Sequence, residues 1–583
     1  MRIDLKQANN QGASKYVHVE NVTGGMIGDK RNTAGSRHQL LSTLWRRLIR
    51  TKKVIYIFGI IVVFLIHTFH LNVVAEDAFI TFQFARHLAD GQGIVWNLGE
   101  APVEGYTNFL WLLLSAFLIK GGLNVTLFNQ FFGVLASLAT MVYTYRFGRK
   151  IFNLPDGYAF IPCLFLVASG PFVAWAGSGM ETNLFGMFLL GGCYYFASWV
   201  QLNSDKDLVL CFLLLLLATL TRPEGFMIFG LVAAFGAVIS LRRSQPARTQ
   251  YILALSVYVI PFLIYFFWRY SYFGYLLPNT FYAKTGGGFF QYLRGVKYSG
   301  LFAFHFLLPL APIFFTLVWE RGFGGTSRVV QGQSFTQHLK IHLNIYICVL
   351  VSTVYTLYIV YVGGDYMAMY RFFVPILPFF YLLIGLVAYR LLESVAGIGY
   401  KRALTNGLIA FAIGLTVLQS TPIEGRLFRK PEFMHGTYQG IQYERWHVAR
   451  YKVIANFFRG AKRSAQDSLA VGPIGVISYY SDMTIYSIFG IVDPYIAHKQ
   501  MTGLGQGFPG HEKHDLPYVL SKRPTYIMFS LGLRSEPESY PDYSDEIDKI
   551  IHENYQLRSV WLDDSINDEA GYFTFLELKT HEP

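Results

Sequence analysis

Charge is scarce in this sequence of 583 residues, where Asp, Glu, Lys and Arg together make up only 15%. A soluble domain carries about 25% charged residues, so the composition excludes an ordinary protein with a fully wetted surface. Cysteine is scarcer still: Cys163, Cys193, Cys211 and Cys348 are the whole complement, all in apolar stretches and without metal-ligand spacing. That removes a disulfide framework and a zinc device, and leaves small apolar fillers. No P-loop or Rossmann glycine pattern occurs, so nothing supports a cytoplasmic nucleotide site.

What the chain has instead is apolar length, with 53% hydrophobic and 17% aromatic residues. Apolar runs long enough to cross a bilayer are expected near 54–74, 127–146, 158–177, 183–200, 208–221, 225–241, 251–271, 300–319, 341–362, 371–391 and 404–421. The segment "NFLWLLLSAFLI" (108–119) is too short to cross comfortably and reads as an interfacial helix. With that segment on the surface, Arg146, Arg149, Lys150, Arg242, Arg243, Arg248, Arg390, Lys401 and Arg402 all fall on the cytoplasmic side. The expected fold is a polytopic α-helical membrane protein with about eleven transmembrane helices, one interfacial helix and a C-terminal α/β extracytoplasmic domain.

Net charge is +12, and the first 53 residues hold eleven basic side chains against three acidic ones. A basic tail invites a nucleic-acid partner, but this one ends as "LWRRLIRTKK" against the first span. It therefore reads as a cytoplasmic anchor that touches membrane lipid, with no nucleic acid. Three regions follow: a basic tail at 1–53, a transmembrane region at 54–422 with an outer loop at 75–107, and a strand-rich extracytoplasmic region at 423–583. In the last, "SLAVGPIGVISYY" (468–480), "TIYSIFG" (484–490) and "TYIMFS" (525–530) read as buried strands. "YERWHVARYKVIANFFRG" (443–460) reads as an amphipathic helix.

The same topology gathers the polar motifs on the outer face: "EDAF" (76–79), "VEGYTN" (103–108), "SGMETN" (178–183), "TRPEG" (221–225), "LLPNTFYAK" (276–284) and "GGDYMAMYR" (363–371). On a helical wheel Asp77 shares a side with Thr81, Phe84 and Leu88, and Arg86 lies opposite. Asp77 must therefore find a cation, a metal or a substrate proton elsewhere. A carboxylate within reach of a hydroxyl can act as general base, a role open to Asp77. Glu76, Glu181 and Asp365 could orient an acceptor or hold a divalent cation, though the sequence requires no cofactor. Glu104 and Glu224 read equally as turn residues, and Tyr106, Asn108 and Asn279 complete the acceptor or sugar-binding candidates. Lys284, Arg294, Lys297 and Arg371 supply the positive charge that a departing phosphate needs. His511 and His514 in "GFPGHEKHDLPY" read as part of a polar loop.

The ordered series "EDAFITFQFARHLADGQGIVWNLGEAPVEGYTNFLW", "SGMETNLF", "TRPEG", "PNTFYAK", "GGDYMAMYRFFVPILP", "GIVDPYIAH" and "PGHEKHDLPYVLSKRPTYI" resembles the GT-C glycosyltransferases of the arabinofuranosyltransferase AftB group. It covers about residues 54–530. The resemblance implies transfer of a sugar from a polyprenyl-phosphate carrier to a cell-envelope glycan or lipopolysaccharide, outside the bacterial cytoplasmic membrane. It implies Asp77 as the principal acid/base carboxylate, Glu76 as its partner, and Lys284 or Arg371 near the lipid phosphate, with Arg294 beside them. The sequence differs from the group at Glu76, where the paired-acid motif usually has Asp. The competing expectations are a lipid or sugar transporter and a non-catalytic envelope scaffold on the same fold. Charges gathered at one surface, with no internal repeat, argue against the transporter.

Overall fold

The computed structural model describes residues 53–202, 204–307, 335–394, 399–418 and 438–579. Most of the basic tail, most of the span expected at 300–319, the end of that at 404–421 and the boundary at 422/423 lie outside the described residues. The described residues from Ile60 onward form one compact unit.

Among the described residues, five helices are long and apolar enough to cross a bilayer: Lys53–His70, Val125–Ile151, Gln245–Phe273, Leu343–Val362 and Arg371–Glu393. With this composition they make the chain a polytopic helical membrane protein. A sixth candidate is broken. The continuous span expected at 158–177 is instead Asp156–Ala168 and Gly170–Ala176, which meet at a 68° bend. Pro171 lies in the first turn of the second piece and has no N–H to donate to the carbonyl of Val167. That carbonyl accepts a bond from His67 Nδ1 at 2.8 Å instead. The interfacial candidate is a helix at Phe109–Lys120 of 12 residues. At 1.5 Å per residue it is too short for a core about 30 Å thick.

Small residues let these helices approach closely. A Cβ at Gly295 would sit 2.3 Å from the carbonyl oxygen of Val360, and one at Gly133 would sit 2.4 Å from that of Ala176.

The C-terminal segment begins with a helix at Tyr438–Ala461 and builds a five-stranded sheet in the order β2-β1-β3-β5-β4. The strands are β1 (Ser468–Val471), β2 (Thr484–Ser487), β3 (Tyr526–Ile527), β4 (Tyr555–Asp564) and β5 (Glu569–Leu578). β1 runs parallel to β2 and β3, while β5 is antiparallel to β3 and β4. The long strand expected over 468–480 is corrected: it stops at Val471, and Ile474–Ser481 is a helix. Pro473 cannot donate to a sheet ladder, and this short apolar run does not separate strand from helix by periodicity. The β4–β5 hairpin has no counterpart among the sequence expectations.

Gly295→Ala is expected to lower thermal stability in detergent, with an overpacking cost of about 1–3 kcal/mol. Gly300→Ala on the same helix, where a Cβ meets nothing within 4 Å, is expected not to. Melting curves of the two variants check this.

Candidate functional site

The chain turns from the first described span into the helix Glu76–Ala89, whose first turn carries Glu76 and Asp77. Its other wall is the turn at 363–371, whose backbone is unusual. Gly363, Gly364, Met369 and Tyr370 all have positive φ, at 85°, 77°, 55° and 45°. For Met369 and Tyr370 this is a strained conformation that persists only where the surroundings enforce it. Tyr370 is held by a 2.8 Å bond between its hydroxyl and His305 Nδ1. The turn delivers Asp365, Tyr366 and Arg371 to the face of Asp77.

Asp77 Oδ1 accepts a hydrogen bond from the Tyr366 hydroxyl at 3.1 Å, and Oδ2 faces Arg371 at 3.4 Å. The Arg371 guanidinium donates from Nε to Asp365 Oδ2 at 2.7 Å. It also lies 5.6 Å and 5.2 Å from the ring centroids of Trp175 and Phe372. Arg86 turns away, as the helical wheel requires, and bonds Asp482 at 2.9 Å. Burial alone would raise the pKa of Asp77. The positive charges of Lys284, Arg371 and His511, with the Tyr366 hydroxyl, outweigh burial and hold the carboxyl below its usual range. Burial pushes Lys284 down, against the pull of Asp77. It also lowers His511.

These groups border a cavity of about 290 Å³, near the lower end of the roughly 300–1,000 Å³ usual for small-molecule pockets. Of the sequence candidates, Asp77, Tyr106, Asn108, Glu181, Glu224, Lys284, Arg294, Asp365 and Arg371 line it. Glu181 bonds Arg222 at 2.7 Å and Asn108 at 2.8 Å, and Arg222 also holds Glu224 at 2.5 Å. Arg294 is tied to Glu512 at 2.9 Å and to the carbonyl of Gly363 at 3.0 Å. Lys284 differs from the other three lining cations. Among the described residues its ammonium makes neither a hydrogen bond nor an ion pair, and its stem packs beside Gly510.

Glu76, Glu104 and Asn279 are not among the lining residues. Glu104 forms a two-pronged pair with Arg269, at 2.9 Å and 2.7 Å. Asn279 Nδ2 donates to the carbonyls of Gly490 and Ile491, both at 2.9 Å. Glu76 Oε1 accepts from the backbone N–H groups of Gly475 at 2.5 Å and Val476 at 3.1 Å. Its own N–H donates to Glu444 Oε1 at 2.9 Å. All three hold segments together.

Sequence reading missed Tyr366, Arg222 and Glu444. Tyr366 and Arg222 stand inside quoted motifs, where an aromatic hydroxyl beside Asp365 and a cation beside Glu224 were visible signals. Glu444 had none, because its partner is 368 residues away. Among the described residues no group of three or more His, Cys, Asp or Glu could hold a metal ion. The lining carboxylates do not fit one, since Asp77, Asp365 and Glu181 each face a guanidinium.

With this geometry in place, the chain can be compared with known proteins. Over 232 residues it is 27% identical to the terminal β-(1→2)-arabinofuranosyltransferase of Mycobacterium tuberculosis (strain ATCC 25618 / H37Rv), covering 37% of this chain and 35% of that protein. The chain resembles an arabinofuranosyltransferase. It spans only about a third of that relative's length. Residues 436–576 match a family described as a domain of unknown function, DUF8728. Among solved structures, ArnT from Cupriavidus metallidurans bound to undecaprenyl phosphate aligns at a TM-score of 0.45 and 14% identity, over 74% of this chain and 85% of that one. Its apo form aligns at 0.45 and 13%, over 75% and 86%.

Burial, then the carboxylates of Asp77 and Glu444, push Glu76 from 4.5 up to about 8. Between those values the folded protein keeps a proton that the unfolded chain releases, so this contribution to stability is lost as pH rises through the window. Glu444, pushed up to about 7 chiefly by burial, acts in the same direction. These two carboxyls therefore act to lower the melting temperature from about pH 5 to pH 8, against the opposite contribution of the buried His511. Glu76→Gln should flatten that slope, which a pH series of melting curves would reveal.

Proposed function

We propose that this protein is an integral-membrane glycosyltransferase that moves a sugar from a polyprenyl-phosphate carrier to a cell-envelope glycan. One observation carries the reading: Asp77 and Lys284 border the same cavity, and Lys284 is the lining cation with no bonded partner among the described residues. Asp365, Glu181 and Glu512 each hold an arginine at 2.9 Å or less. Asp77 is held more loosely, with Arg371 at 3.4 Å, which leaves a carboxylate that can take a proton and a cation that can meet a phosphate.

In this reading the acceptor hydroxyl docks against Asp77. Its oxygen attacks the anomeric carbon as its proton passes to the carboxylate. The bond from the anomeric carbon to the phosphate oxygen breaks, and polyprenyl phosphate departs with its charge facing Lys284. Tyr366 and Arg371 orient Asp77 and keep it ionised before the reaction. The Glu181–Arg222–Glu224 group and Asn108 form a polar wall suited to sugar hydroxyls. The named relative makes arabinofuranose the first donor to test, ahead of other pentoses and hexoses.

The reading also sets a topology of about eleven crossings in the bacterial cytoplasmic membrane. The basic tail lies inside, and the motif loops and C-terminal segment lie outside. A scaffold without catalysis would have no need to leave Lys284 without a bonded partner beside the Asp77 carboxylate on one cavity wall, since that arrangement costs stability.

The test is turnover of purified protein with a panel of polyprenyl-phospho-sugars and envelope acceptors, with and without divalent metal. Asp77→Asn is expected to lower kcat by roughly 10²–10⁴-fold, the range for a lost general base, while the protein stays folded and inserted with a melting temperature lowered by the loss of one charge partner of Arg371. Lys284→Met is expected to cost about 10²–10³-fold. Undiminished turnover by the Asp77 variant would sink the assignment.

A further inference from the structure

The path from the first described span into the outer loop has a weak joint. The helix Lys53–His70 ends and the helix Glu76–Ala89 begins within a few residues. Helix ends leave backbone carbonyls on one side and N–H groups on the other without intrahelical partners. Ala75, at the N-cap position of the second helix, has no side chain able to accept a bond.

The N–H of Ala75 bonds the carbonyl of Ser178 at 3.0 Å, and one place in the C-terminal segment reaches both helix ends. Glu444 Oε1 accepts the N–H of Glu76 at 2.9 Å, at the positive end of the second helix. Its neighbour Arg445 donates from Nε to the carbonyl of Asn72 and from a terminal nitrogen to the carbonyl of His70, both at 2.7 Å, at the negative end of the first. An acceptor oxygen thus meets the N–H end and a guanidinium meets the carbonyl end. Glu76 repeats the device, capping Ile474–Ser481 through the N–H groups of Gly475 and Val476. Pro473, the N-cap there, makes no side-chain bond. A Cβ at Gly475 would lie 2.2 Å from the Glu76 carbonyl oxygen, so only glycine allows the approach.

We infer that Glu444 and Arg445 are positioning residues. They clamp the joint between the two helices from outside and thereby fix where Asp77 stands relative to Tyr366 and Arg371. The C-terminal segment sets the catalytic geometry without itself supplying the carboxylate. The inference rests on the function proposed for Asp77, because a displaced Asp77 matters only if it is the reacting group. The clamp itself is a structural statement that can be read without turnover.

The experiment compares the full chain as wild type, Glu444→Ala, Glu444→Gln, Arg445→Ala and Asp77→Asn. It measures kcat and KM for the donor, and amide exchange across residues 73–80. Glutamine keeps an acceptor oxygen, whereas alanine does not. Glu444→Ala and Arg445→Ala are expected to lower kcat by roughly 10- to 100-fold, the scale of a misplacement near 1 Å, with KM nearly unchanged. Exchange at 73–80 should quicken in Glu444→Ala and stay near wild type in Glu444→Gln, whose kcat should largely recover. The inference is overturned if Glu444→Ala leaves exchange unchanged, or if Glu444→Gln is as impaired as Glu444→Ala. If wild type transfers no sugar from any donor, the proposed function fails, and the exchange rates still decide the clamp.

Discussion

A charge taken out of water must be matched by an opposite charge or by a set of hydrogen bonds, and this demand organises the protein around Arg371. Its guanidinium is almost wholly buried between Asp365 and Asp77, with the rings of Trp175 and Phe372 alongside. Leaving any of these groups unmatched in so dry a setting would cost more than a surface ion pair gains. The partners therefore hold one another in place. The strained backbone at Met369 and Tyr370 is tolerated because it delivers Arg371 to that position.

The same rule recurs at two further buried arginines, each joining segments far apart in the chain. Arg222 bridges Glu181 and Glu224, and Arg269 holds Glu104. The Glu181, Asp365 and Glu512 carboxylates on or beside the cavity wall are thus already bonded to arginines before any ligand arrives. Preorganised dipoles and charges act on a developing transition state without reorganising. Among the lining cations of the described residues, Lys284 is the one without such a bond, and it acquires meaning against this background.

The C-terminal segment belongs to the same construction. Asn97 pairs with the backbone of Ile485 on β2 through both its amide oxygen and its amide nitrogen, each at 3.0 Å. Asn279 is fastened to the carbonyls of Gly490 and Ile491. Pro509 and Gly510 reach the cavity wall, and Glu512 engages Arg294. Amide side chains suit these seams because each can donate and accept toward a backbone whose own partners are missing. The polar motifs thus divide between lining the cavity and binding the C-terminal segment.

Much of this was legible in the chain itself. Apolar runs of bilayer length mark the helices, because burying a backbone in lipid leaves few alternatives. The helical wheel separates Arg86 from Asp77, because a period of 3.6 residues is a local property. The motif series named most of the residues that line the cavity. Tertiary structure alone decided which polar residues face the cavity and which act as fasteners. Glu76 and Asp77 are adjacent and chemically alike, yet one caps a helix about 400 positions away and the other meets Arg371. No local pattern distinguishes them, because their roles are set by the long-range partner that satisfies each charge. For the same reason Ile474–Ser481 is a helix. Its apolar run suits a strand as well, and the fold supplies the Glu76 carboxylate that completes a helix N-terminus there.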